Sequence, residues 1–100
     1  MEKLDVAVVT AELEQMNGWT LEDGKWLVKK YKFLTFANAM QFVNEVATIA
    51  EAENHHPFIA IDFRMVTLRL TSWKVGGITK LDLRCVAEFD SAYGRFQSGE

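Results

Sequence analysis

Pro57 is the only proline in the chain, and it closes the segment whose periodicity is clearest. Upstream of it, Phe36, Ala39, Met40, Val43, Val46, Ala47 and Ala50 recur at helical spacing, while Gln41, Asn44, Glu45 and Thr48 face the other way. Thr35 is the expected N-cap. The residue before a proline disfavours the helical region, so this helix must end around His55. A long amphipathic helix that stops at a His-His-Pro corner constrains the fold more than any other feature.

The flanking segments read mostly as strands. Trp19 to Leu21 and Lys25 to Phe33 bracket Asp23-Gly24, a strong hairpin turn signal. Phe58 to Phe63 and Val66 to Trp73 form a second pair, although Arg64-Met65 is a poor turn sequence. In the last of these, Val66, Leu68 and Leu70 alternate with Thr67, Arg69 and Thr71. A first short helix is expected with Thr10 as cap, Leu13 and Met16 on one side, and Asn17-Gly18 as its end. After a Gly76-Gly77 loop, Thr79 caps a final helix striped by Leu83, Val86, Phe89, Asp90 and Tyr93. The expected order is α-β-β-α-β-β-α. This is an α+β fold, with a four-stranded antiparallel sheet packed by helices on one face and one domain spanning residues 1–100.

Composition narrows the function classes. Eleven Lys and Arg against fourteen Asp and Glu leave a net charge of −3, which disfavours a direct nucleic-acid partner. The one basic cluster, Lys29-Lys30-Tyr31-Lys32, alternates across a strand and reads as a solvated face. A single cysteine, Cys85, rules out an internal disulfide and points to a reducing compartment. No apolar run of about 20 residues is present, and the N-terminus lacks a signal-peptide core. A cytoplasmic, soluble protein with no membrane partner is expected.

The two histidines, His55 and His56, are adjacent at a helix-to-strand junction. Glu51 lies four residues before His55 and is expected to share its helix face, orienting that imidazole. The helix C-terminus also favours a protonated ring. Together these build a proton-transfer group near neutral pH. A zinc site would need three or four ligands, and adjacent histidines rarely aim at one ion, so no metal is expected. Cys85 falls inside the last helix without an activating partner and reads as a buried, inert thiol. No glycine-rich phosphate loop implies a nucleotide cofactor. Trp19, Trp26 and Trp73 read as core or, alternatively, as stacking surfaces for a planar ligand. Asp82 opens the last helix, where a carboxylate suits the dipole whatever the function.

The segment from Glu51 to Pro57 resembles the signature of the pterin-4a-carbinolamine dehydratases. That signature continues with an aromatic residue, then a histidine or tryptophan, then an aspartate. Here five residues separate Pro57 from Phe63, nine separate Phe63 from Trp73, and eight separate Trp73 from Asp82. The resemblance covers nearly the whole chain, including Asn17-Gly18-Trp19 and the Asp23-Gly24 turn. There are two departures. Trp73 stands where many members carry a third histidine, and Asn54 stands where an aspartate commonly precedes the pair.

The resemblance implies dehydration of 4a-hydroxytetrahydrobiopterin to quinonoid dihydrobiopterin, a step in pterin recycling that needs no cofactor. It implies His55, His56 and Glu51 as catalytic residues. Trp73, Asp82, Asn54 and Phe63 are implied around the pterin, with Trp19 as a further aromatic contact. The implied partners are a pterin substrate, a pterin-dependent aromatic amino acid hydroxylase, and further copies of the chain in a homodimer or homotetramer. The alternative is a non-catalytic dimerisation, assembly or transcriptional coactivator module on the same fold. Both imidazoles serving one pocket requires His55 to keep helical geometry.

Overall fold

The computed structural model describes residues 1–96. Its elements are helix α1 (Val6–Leu13), strands β1 (Thr20–Glu22) and β2 (Trp26–Lys32), helix α2 (Phe36–Glu53), strands β3 (Phe58–Asp62) and β4 (Met65–Leu70), and helix α3 (Lys80–Gly94). This is the expected order. The strands form one antiparallel sheet in the order β1-β2-β4-β3. Each hairpin keeps its own pair, and β2 joins β4 at the centre, with Leu27 opposite Leu70 and Tyr31 opposite Val66.

Alternation along the central strands places the core. Leu27 and Tyr31 of β2 and Val66, Leu68 and Leu70 of β4 are buried on the face that the helices cover. Helix α2 meets them with Ala39, Phe42, Val46 and Ala50, and α3 with Cys85, Val86, Phe89 and Ala92. The small alanines let the helix backbones approach the sheet, while Phe42 and Phe89 fill the gap. Truncating Phe42 to alanine would cost about 3–5 kcal/mol. The stripe of α2 is therefore rotated from the expected one: Phe36 is exposed and Phe42 is buried.

Other element ends differ from expectation for local reasons. Helix α1 begins after Asp5, so Thr10 lies inside it rather than at its cap. Its fit is anchored by the Leu4 N–H donating to Ile78 O (2.8 Å) and by the buried Val9. The β1–β2 turn uses Asp23 and Gly24, both in the left-handed region. The β3–β4 turn uses Phe63 at φ 52°, a rare position for an aromatic residue, and so the strand pair closes tightly at Asp62 opposite Met65. Strand β4 stops at Leu70, before Trp73. The Thr71 hydroxyl donates to Lys25 O, and the Ser72 N–H donates to Gly77 O, turning the chain out of the sheet.

Candidate active site

The corner after α2 is closed by Asn54. Asn54 adopts the left-handed conformation, its N–H reaches Glu51 O (3.3 Å), and the His55 N–H reaches Ala50 O (3.0 Å). This is a Schellman closure, with asparagine in the place glycine usually takes. His55 therefore leaves the helical path, contrary to the expectation that it stays helical, and the two imidazoles diverge. A bidentate contact from Arg84 of α3 to Glu53 (2.8 and 3.2 Å) ties the end of α2 to the start of α3. The same contact holds the Glu53 carboxyl below the usual carboxylate range.

His55 Nε2 meets Asp82 Oδ1 at 2.6 Å. Asp82 is fully buried (0% exposed) and sits in the first turn of α3. Its second oxygen accepts from Ser72 Oγ (2.7 Å), the Thr79 N–H (2.8 Å) and Thr79 Oγ1 (3.2 Å). A buried carboxylate is tolerated only with such partners. Three donors converge on Oδ2, as suits an ionised carboxylate, which only accepts; the matching imidazole tautomer carries its proton on Nε2 and leaves Nδ1 as the ring's other polar atom.

The expected Glu51–His55 pair is not formed. Glu51 instead meets His56, with Oε2 2.5 Å from Nε2, and both side chains are largely solvated. The reason is the corner itself: once Asn54 turns left-handed, the residue over Glu51 is His56.

His55 borders a cleft of about 340 Å³, together with Asn54, Ser72, Trp73, Lys74 and Thr79. Met1, Val75 and Leu81 complete its rim. Trp73 is 69% exposed. Its ring stands edge-on to Trp26 (5.1 Å between centroids) and to Phe58 (6.3 Å) on the open face of the sheet. Arg69, paired with Glu22, stacks over Trp26 at 4.7 Å. An exposed indole braced in this way offers a flat wall to a planar ligand.

Among the sequence-predicted residues, the structure brings His55, Asp82, Asn54 and Trp73 together, with Asp82 acting through His55. It leaves His56 and Glu51 outside the cleft lining. Phe63 sits at the far β3–β4 turn beside Arg64. Trp19 is core, its Nε1–H donating to Asp90 (3.0 and 3.1 Å). Ser72, Lys74, Glu53 and Arg84 were not singled out from the sequence. Ser72 and Lys74, on either side of the motif tryptophan, carried a positional hint. Cys85 is buried, and burial pushes its thiol up to about 12. Among the described residues no three His, Cys, Asp or Glu side chains gather to hold a metal ion, and no helix is long and apolar enough to cross a membrane.

A family model described as pterin 4 alpha carbinolamine dehydratase matches residues 2–92. A Thermomicrobium roseum protein named "Putative pterin-4-alpha-carbinolamine dehydratase" is 43% identical over 83 residues, covering 83% of this chain and 88% of its own. A protein of the same name from Sulfurisphaera tokodaii is 38% identical over 90 residues, covering 90% and 96%. The crystal structure of a transcriptional coactivator/pterin dehydratase from Brucella melitensis superposes with a TM-score of 0.88 at 26% identity, covering 93% of this chain and all of that one. A pterin dehydratase-like RuBisCO assembly factor of the alpha-carboxysome shares the fold, with a TM-score of 0.69 at 20% identity over 79% of this chain and 93% of that one.

Proposed function

Because the chain belongs to the pterin-4-alpha-carbinolamine dehydratase family, we propose that it dehydrates 4a-hydroxytetrahydropterin to the quinonoid dihydropterin. The observation that carries this reading is the buried Asp82 holding His55 at the wall of a cleft sized for one small heterocycle. Protonated His55 gives the 4a-hydroxyl a proton, and the C4a–O bond breaks to release water. N5 loses its proton to a base, and the N5=C4a double bond forms. Loss of water and re-formation of the double bond need only proton movement, worth about 10²–10⁴-fold when a side chain is well placed. Asp82 stabilises the imidazolium, Trp73 walls the ring, and Asn54 lines the cleft. His56 and Glu51 form a solvated pair outside the cleft lining, and the proton transfer is assigned to His55 alone.

Coupling the protein to a pterin-dependent hydroxylase tests the reading, with quinonoid dihydropterin formation as the readout. The expected result is acceleration over the unaided reaction that is lost in His55→Ala. No acceleration by a folded protein would favour the non-catalytic assembly or coactivator module instead.

The partner in either case includes a second copy of the chain, as a homodimer or homotetramer. What supports this is β3, an edge strand whose five residues are all exposed, with Phe58, Ile59 and Ile61 among them. An apolar, unpaired edge is a template for another strand. Ile59→Lys should move the sedimentation coefficient to that of a monomer. An unchanged coefficient would remove β3 as the interface.

A further inference from the structure

We propose that Ser72 is a positioning residue for the acid–base histidine: its hydroxyl holds the Asp82 carboxylate so that His55 presents Nδ1 to the cleft. The inference rests on the dehydratase reading for its kinetic consequence, but its structural consequence stands alone. The 72–77 loop does not need this hydroxyl. Its backbone is closed by the Ser72 N–H on Gly77 O (2.9 Å) and by the Val75 and Gly76 N–H groups on Ser72 O (3.3 and 3.0 Å). Nor does the start of α3 need it, because the Thr79 N–H already reaches Asp82 Oδ2 in a capping box. The Ser72 hydroxyl has instead two polar neighbours, Asp82 Oδ2 at 2.7 Å and Thr79 Oγ1 at 3.0 Å.

Its single proton goes to the carboxylate, and the Thr79 hydroxyl is then free to donate in turn. Two side chains and one backbone group therefore converge on Oδ2, leaving Oδ1 to His55 alone. Rotation of the carboxylate would exchange the two oxygens and turn the ring. Ser72 opposes this rotation from the cleft side, where it lines the same wall as His55. Partners behind a metal-bound histidine are worth about 10–100-fold in metal affinity or activity, and a loss of the lower order is expected for a histidine held through its carboxylate.

The experiment compares wild type, Ser72→Ala and Ser72→Thr by steady-state kinetics in the coupled assay and by ¹⁵N–¹H correlation spectra of the histidine rings. Ser72→Ala should lower kcat at least about tenfold with KM within about twofold. The His55 ring pattern should move from the single Nε2-protonated tautomer toward a mixture of tautomers. Ser72→Thr, which keeps the hydroxyl, should restore both. An alanine variant with unchanged kcat and an unchanged His55 pattern overturns the proposal. Should the wild type itself prove inactive, the dehydratase reading falls, and the ring spectra still decide whether Ser72 orients His55.

Discussion

Asp82 and His55 stand 27 positions apart in the chain and meet at 2.6 Å, the carboxylate wholly buried and the imidazole at the cleft wall. Replacing Asp82 with asparagine keeps the shape but removes the charge that stabilises a protonated ring. The expected loss in kcat is about 10²–10⁴-fold, with the thermal midpoint changed far less than by Asp82→Ala. The alanine variant strands the Thr79 N–H and two hydroxyls and should lose about 2–4 kcal/mol. Coupled kinetics and calorimetry on both variants check this, and an asparagine variant within threefold of wild type would sink the role.

The two histidines should separate kinetically. His55→Ala is expected to lower kcat with little change in KM. His56→Ala and Glu51→Gln, at an exposed pair outside the cleft lining, are expected to leave both kcat and KM within about twofold of wild type. Equal losses of kcat in the two alanine variants would show that the solvated ring shares the chemistry.

Asp90 organises a second polar node away from the cleft. Its carboxylate receives Trp19 Nε1–H, Lys29 Nζ (2.9 Å) and Tyr31 OH (2.6 Å), and so staples α3 to β2 and to the segment before β1. Asp90→Ala leaves the Trp19 and Tyr31 donors without their acceptor, while Lys29 Nζ keeps Asn17 O (2.6 Å). Allowing for its partial exposure, the cost is about 2–3 kcal/mol, or about 10–20 °C in midpoint for a domain of this size. Coupled kinetics at low temperature should be nearly unchanged. A midpoint within about 4 °C of wild type would refute the assignment.

The same node sets an alkaline limit. Burial, then the hydrogen bond to Asp90, pushes the Tyr31 phenol well above its ordinary value. A group whose folded value is raised stabilises fully below the unfolded value and loses that contribution as pH rises. Cys85 has the same sign, with stability falling from about 8.5 toward 12. Stability measured by urea should therefore fall from about pH 8.5 and more steeply above about pH 10, and Tyr31→Phe in a Cys85→Ala background should flatten that fall. An identical slope in the double variant contradicts this account.

Trp73 stands where many family members carry histidine, and its indole is available at the cleft. Trp73→His is expected to raise kcat, by adding a third proton-transfer group, and to raise KM several-fold through the lost aromatic wall. Lower kcat with unchanged KM would show that the tryptophan does more than wall the ring.

Much of the fold was legible because it is set by short-range periodicity. Val66, Leu68 and Leu70 announce a buried strand face by alternation, and the Thr35 cap and the end of α2 follow from local backbone chemistry. The phase of α2 was harder to read. Phe36 and Phe42 are both large and apolar, and only the sheet decides which one is covered. Likewise Thr10 looks like a cap by type, but Asp5 takes that place because the Leu4 N–H docks on Ile78 O.

By itself the sequence determined the element order, the strand faces, and the presence of a His-His-Pro corner with an aspartate at the start of a later helix, because each depends on neighbours a few residues away. Tertiary structure alone decided that Asp82 goes to His55 and Glu51 to His56, that Ser72 backs the carboxylate, and that Trp19 belongs to the core. Those pairings depend on one left-handed residue, Asn54, and on how α2, α3 and the 72–77 loop converge. A turn of the backbone by one residue exchanges which ring faces which carboxylate, and no spacing rule carries that information.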